Sequence, residues 1–453
     1  MAGRALPAAL LRDLAAVLGE NHVLTGDATA GYVTDWTSRY HGTAPAVLRP
    51  ERTEQVAAVL ALLSGAGIPV VPQGGNTGLV GGGVPLHGEV VLSLARLAGL
   101  GPVDQDSGQV TAGAGVTLAA AAAADPGLDL GVLIASRDSA TVGGAVATNA
   151  GGLRVLRYGP MRAQLRGVQA VLSDGTVVEH LGGLVKDNTG YDYPSLLAGS
   201  EGTLAVVTAA RLQLVPRPRD LVTVLVAAAD GLAEVHGLAR RAVRAVPGLL
   251  SAEFLTQPGL DVLIAHAGLV PPLPHPAPAY LILEAAGRGA LDDLAGLIGD
   301  RPVAVAEAAA DRARLWAYRE RMPEAAGFLG PPIKLDVSVP AAAWVELASS
   351  VAGVVAGADP DATVIAYGHV ADGNVQVNIV PAAPADGRHE DAVLNFVSEL
   401  GGSVSAEHGI GALKARWLPL ARSAAELDLF ARIRAALDPA GLLNPHVLPR
   451  LPG

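Results

Sequence analysis

The stretch "PQGGNTGLVGGG", residues 72–83, decides how the rest of the chain is read. It leaves a short apolar run, "IPVVP" (68–72), that reads as a strand. Consecutive glycines let backbone N–H groups close on an anion without steric penalty. No Gly-Lys-Ser/Thr follows, so this is not a Walker loop, and the G-x-G-x-x-G spacing of a dinucleotide fold is absent. Alone, such a loop is as readily a plain surface turn. Two further segments shift that balance: "SRDSATVGGAVATNAGG" (136–152) and "LLAGSEGTLAVVT" (196–208). Three polar, glycine-bearing loops on β elements of one domain point to a long ligand with a diphosphate.

The surrounding composition narrows the class. The chain has 453 residues, enough for two or three domains. Half the residues are hydrophobic but only 4% are aromatic, which suits tightly packed helices on sheets. The charge is −11 (32 basic against 43 acidic), and without basic clusters nucleic acid and anionic membrane are poor partners. The absence of cysteine excludes disulfides, iron–sulfur clusters, thiolate zinc sites and a cysteinyl–flavin bond. No apolar run of about 18 residues stands out, so no membrane span is expected. Arg12 and Asp13 interrupt the apolar N-terminus, and Leu10, Leu11, Leu14 and Leu18 take helical spacing; a cytoplasmic protein is expected.

Residues 1–218 alternate short strands and helices and stop at Pro216 and Pro218. "LRGVQAVLSDGTVVEHL" (165–181) is a hairpin with an Asp-Gly turn, and "GTLAVVTAARLQLVPRP" (202–218) reads as two strands. Residues 219–420 read as an α+β cap, an antiparallel or mixed sheet backed by helices, with helices near 290–300 and 309–325. Residues 421–453 form a C-terminal helix and loop. Within the cap, "AYGHVADGNVQVNIV" (366–380) is a hairpin; a turn centred on Asp372-Gly373 sets His369 opposite Gln376.

The three loops together resemble the FAD-binding domain of the vanillyl-alcohol oxidase / p-cresol methylhydroxylase superfamily, in its D-2-hydroxyacid dehydrogenase branch (D-lactate, D-2-hydroxyglutarate and glycolate dehydrogenases). The resemblance runs in order along nearly the whole chain. It implies an α+β fold with a two-part FAD-binding domain (1–218), a substrate-binding cap (219–420) and a last segment (421–453) returning towards the flavin. It implies cofactor contacts at Pro72, Gly74, Gly75, Asn76, Thr77, Gly78, Ser139, Gly143, Gly144, Thr148, Asn149, Gly151, Gly152, Glu201, Gly202 and Asn444. Some relatives carry a flavin-bonding histidine in the first loop; Asn76 stands here, so FAD is expected to bind non-covalently.

By themselves, a histidine on a hairpin and an arginine on an acidic helix read as a surface residue and a solvated ion pair. The resemblance gives them roles. His369, Glu407 and position 376 correspond to metal ligands, His408 to the base that takes the substrate hydroxyl proton, and Arg319, Lys334 and Asn378 to substrate contacts. The chemistry suits these types: imidazole accepts a proton near neutral pH, and a guanidinium matches a planar carboxylate. Two positions depart from the pattern. Gln376 replaces the second metal-binding histidine, and Pro323 stands where a hydroxyl residue often helps bind substrate. An amide oxygen is a poor zinc ligand. A weakly held zinc or a harder ion such as Mn²⁺, no metal, or altered chemistry all remain open. So do two other functions, a transferase of the alkylglycerone-phosphate synthase type and a degenerate FAD-binding subunit. Without cysteine, electrons must pass to a separate acceptor.

Overall fold

The computed structural model describes residues 5–382 and 386–448; the end of the expected C-terminal segment, 449–453, lies outside them. The chain divides into two compact units. One comprises Met1–Gly152, Tyr158–Arg217 and Glu407–Gly453, the other Leu153–Arg157 and Pro218–Ala406.

The first unit has two sheets. Strands Val47–Leu48, Val90–Ser93 and Val70–Gln73 run parallel, with Val23–Leu24 antiparallel at the edge. Leu10, Leu14 and Leu18 of helix Ala8–Leu18, spaced every four residues, pack into this layer with Val56, Val59, Leu60 and Leu63 of helix Thr53–Gly65. The second sheet is antiparallel and centres on Val206–Pro216, flanked by Gln109–Gly113 and Leu165–Val171, with Val177–His180 beyond. The two strands expected within 202–218 are one strand of 11 residues. Its side chains alternate between the core and the outer face from Thr208 to Val215, and the strand runs on to Pro216 although its pairing with Leu165–Val171 shifts register twice. The hairpin 165–181 turns at Asp174-Gly175, with Gly175 at φ +89°.

The second unit is built on one seven-stranded sheet in the order Val303–Ala306, Val222–Ala228, Ala279–Ala285, Leu249–Thr256, Thr363–His369, Asn374–Val380, Ile333–Ser338. Every pairing is antiparallel. Cross-strand partners share a face. One face carries Leu335, Val337, Val375, Val377 and Phe254, all fully buried or nearly so. Trp344 closes on it, its ring 4.8 Å from Phe254 and edge-on. The other face is mixed. Towards one side it carries Leu225, Leu255, Tyr280 and Ile282, which pack with Leu260, Leu263, Leu315 and Trp316. Towards the other it carries the polar residues described below.

Two expectations change here. The run Ala341–Ala358 is 18 residues, long and apolar enough by length and composition to cross a membrane, so the statement that no such run exists is corrected. Its Trp344, Leu347, Ala348, Val351 and Val355 are buried at helical spacing, one face of a helix, while 28% of the run in all is buried. The hairpin register also differs: Tyr367, not His369, faces Gln376. The turn takes the four residues between His369 and Asn374, with Gly373 at φ +86°, so the pairing slides by two residues and every side chain keeps its face.

Candidate functional site

In the first unit the glycine segments pack backbone against backbone. A Cβ on Gly75 would lie 2.0 Å from the carbonyl oxygen of Ser139, and one on Gly74 would lie 2.4 Å from Thr141 Oγ1. Only glycine permits that approach. Asn76 sits in the left-handed region at φ +51°, and its Nδ2 donates to the Thr34 carbonyl at 2.9 Å. Trp36 Nε1 donates to the Thr77 carbonyl at 2.9 Å. The backbone N–H groups of Gly75 to Gly78 find no protein acceptor among the described residues. A loop held open with unspent donors fits an anionic diphosphate. Pro72 lies under Gly202, where a Cβ would meet its Cγ at 3.2 Å. Ser139 and the Gly143–Gly144 pair flank the first loop, and Thr148 and Asn149 end the helix Val142–Thr148, Asn149 at φ +51°. Gly152, at φ +114°, donates its N–H to Glu407 Oε2 at 2.9 Å. Gly151 stands beside it in the chain.

Glu201 and Asn444 knit this unit together. Asn444 Nδ2 donates to the carbonyls of Gly82 and Glu201 at 2.9 and 2.8 Å. The Glu201 carboxylate accepts the N–H groups of Ile410 and Gly411, both at 2.8 Å. Burial pushes its pKa up, against the pull of those two N–H groups and of the Lys414 charge. Its side chain thus clamps the turn that follows His408, whose Nε2 lies 3.9 Å from Glu407 Oε1.

In the second unit the strand register collects the sequence candidates on one face. Lys334 pairs with Asn378, Asp336 with Gln376, Gln376 with Tyr367, and His369 with Glu253. Arg319 arrives from helix Ala309–Glu320. Its Nε donates to Glu253 Oε2 at 2.8 Å, and its guanidinium lies 4.7 Å from the Tyr367 ring centre. Glu253 Oε1 lies 2.6 Å from His369 Nδ1. Asn378 Nδ2 donates to Tyr367 Oη at 3.2 Å. The fully buried Asp336 accepts from Asn374 Nδ2 at 2.7 Å and Gln376 Nε2 at 3.1 Å, and its Oδ2 takes the Ala406 N–H at 3.1 Å. Lys334 Nζ donates to the Pro323 carbonyl at 3.2 Å. Pro323 opens helix Met322–Leu329, separate from the helix bearing Arg319 although one helix was expected over 309–325. The break falls at Arg321, and a proline at the second position of a helix costs nothing.

Sequence reasoning missed Glu253, Tyr367 and Asp336. Glu253 had a signal: it is the one charge in the apolar strand "LLSAEFLT". Burial without a carboxylate partner lowers the pKa of Lys334. Its charge is disfavoured in the fold, so stability is lost at neutral pH and recovered as pH rises through the folded pKa towards the unfolded value. Lys334→Met is expected to raise the melting temperature by about 1 to 3 °C while weakening binding of an acid substrate; thermal melts and KM measured on one preparation check both.

One unit of two sheets whose glycine loops fit a diphosphate, and another with a polar sheet face, are the two parts of a flavoprotein of the p-cresol methylhydroxylase type. The fold agrees with p-cresol methylhydroxylase itself, TM-score 0.76 at 16% identity, over 98% of each chain. Residues 44–180 match the FAD binding domain model, and residues 217–448 match the C-terminal domain model of FAD linked oxidases. A mitochondrial D-2-hydroxyglutarate dehydrogenase of Bos taurus is 37% identical over 431 residues, 91% of this chain and 78% of that protein. One from Xanthomonas citri pv. viticola is 36% identical over 442 residues, 92% of each. The chain belongs to the FAD-linked D-2-hydroxyacid dehydrogenase family. The expected cytoplasmic location is corrected: relatives from Bos taurus, Danio rerio, Arabidopsis thaliana and Rattus norvegicus are mitochondrial enzymes.

Proposed function

We propose that this chain oxidises a D-2-hydroxy acid to the 2-oxo acid, with D-2-hydroxyglutarate the first candidate because the similar cattle and Xanthomonas proteins carry that activity in their names. The observation that carries the reading is the pair of cations on the polar sheet face. Arg319 is matched by Glu253, whereas Lys334 meets only a carbonyl among the described residues and so favours an anionic partner. Arg319 and Lys334 hold the substrate carboxylate, and Asn378 assists. His408 takes the hydroxyl proton as the carbon loses its hydride. Bound FAD, cradled non-covalently by the Gly74–Gly78 and Ser139–Gly152 segments with Pro72, Glu201, Gly202 and Asn444, supplies the two-electron acceptor at its N5 position. The electrons leave to a separate acceptor.

Anaerobic mixing with D-2-hydroxyglutarate, D-lactate and glycolate tests this reading. At least one acid should bleach the flavin, and bleaching by none defeats the substrate class. Net formation of a 2-oxo acid separates this activity from a transferase. Gln376 favours a second reading, a degenerate FAD-binding subunit, which turnover with an artificial acceptor would exclude.

For a metal, His369, Gln376 and Glu407 offer one imidazole, one amide oxygen and one carboxylate, a set harder than zinc's usual ligands. Gln376 Nε2 donates to Asp336 Oδ1, and amide nitrogen is in any case no metal ligand, so oxygen is the donor that glutamine brings to such a set. We therefore expect zinc well below one per chain in the unmodified protein, with Mn²⁺ the better match. Gln376→His should raise zinc affinity by about tenfold or more. Elemental analysis of both proteins decides, and stoichiometric zinc in the unmodified one refutes the weakened site.

A further inference from the structure

Glu253 is only 1% exposed, in a strand of otherwise uncharged residues. Burying a carboxylate costs several kcal/mol, about what a buried ion pair returns, and an apolar residue of the same size would often serve stability as well. Stability alone is thus a weak account of Glu253. Its two oxygens serve two different candidate site residues: Oε2 takes the Arg319 Nε–H at 2.8 Å, and Oε1 meets His369 Nδ1 at 2.6 Å.

We infer that Glu253 is a positioning residue for the reaction, setting the ring orientation of His369 and the guanidinium plane of Arg319 with one carboxylate. A carboxylate between two such groups accepts from both, so the hydrogen of the 2.6 Å contact belongs to Nδ1. Whatever His369 does with a ligand or substrate, it then does through Nε2. On Arg319 the bond uses Nε, so the guanidinium is anchored by its inner edge and its terminal nitrogens are the part offered to a carboxylate. Tyr367, 4.7 Å beneath the guanidinium, supports the same plane and accepts from Asn378. One buried carboxylate and one tyrosine thereby link Arg319, His369 and Asn378 across two strands and a helix.

This inference rests on the proposed oxidation of a 2-hydroxy acid, and its test separates the two. Nitrogen NMR of ¹⁵N-histidine-labelled holoenzyme, with the His369 signal assigned by its loss in His369→Gln, should show a proton on Nδ1. The measurement needs no turnover. In Glu253→Gln the proton should move off Nδ1 in part of the population. At unchanged flavin content, kcat/KM for the bleaching acid should fall by about 10- to 100-fold, with a raised KM carrying the Arg319 share. Should Glu253→Gln fail to fold, the unmodified enzyme's tautomer and the shorter Glu253→Asp, which cannot span both partners, take its place. A proton on Nε2 alone in the unmodified enzyme overturns the inference. So does a folded Glu253→Gln with the same tautomer and kcat/KM. Flavin that no acid bleaches would defeat the proposed function while leaving the tautomer result standing.

Discussion

Replacing His408 by glutamine is expected to slow oxidation of the bleaching acid by about 10²- to 10⁴-fold, the usual contribution of a positioned base, while flavin content and melting temperature stay near those of the unmodified protein. The position explains why the loss should be chemical. His408 lies between Glu407, whose Oε2 holds the Gly152 N–H, and Gly409–Gly411, where Glu201 takes the Ile410 and Gly411 N–H groups. The backbone on both sides of the imidazole is pinned by bonds that do not involve its side chain, and glutamine preserves much of its volume and polarity. Anaerobic single-turnover kinetics give the rate directly. A rate within threefold or so of the unmodified enzyme would be too small for a lost base and would remove His408 from that role.

Gly75→Ala should have the second large effect, on cofactor binding. Its methyl group would sit 2.0 Å from the Ser139 carbonyl oxygen. The obstacle is backbone, so neither side can rotate away and the two glycine segments must separate. Overpacking of this kind costs about 1–3 kcal/mol, equivalent to about 5- to 150-fold in FAD affinity. The variant should purify with much less flavin and regain it only at high FAD concentration. Gly65→Ala is the control: nothing lies within 4 Å of its Cβ, so its flavin content should not change. Equal flavin in both variants would show that close packing of the two segments does not govern binding.

The diphosphate-binding glycine loops were legible in the sequence because their signal is local. Glycine at 74 and 75, and the polar small residues at 139–152, answer to backbone geometry within a few residues, and that geometry is written in residue type. The same holds for the amphipathic spacing of Leu10, Leu14 and Leu18, and for the Asp174-Gly175 turn. Reading failed wherever a choice depended on partners distant in the chain. Val206–Pro216 is one strand because neighbours distant in the chain cover it between them: 165–171 pairs with 206–212, 109–113 with 209–213 and 128–130 with 214–216. The register of the 366–380 hairpin belongs to its neighbours as well as to its turn, for Ile333–Ser338 and Leu249–Thr256 pair with its outer edges.

The sequence by itself therefore pointed to a ligand with a diphosphate and to an α+β fold, because each follows from residue types at short range, while FAD and the polar candidates came from the family resemblance that its motifs carry. Only the tertiary structure decided which of those candidates touch. It showed that Arg319 and His369 share Glu253, a residue 66 positions from one and 116 from the other, and that the Gln376 amide is tied to Asp336. The reason is physical. A buried charge must find its partner across the sheet, and strand pairing, rather than spacing along the chain, determines who that partner is.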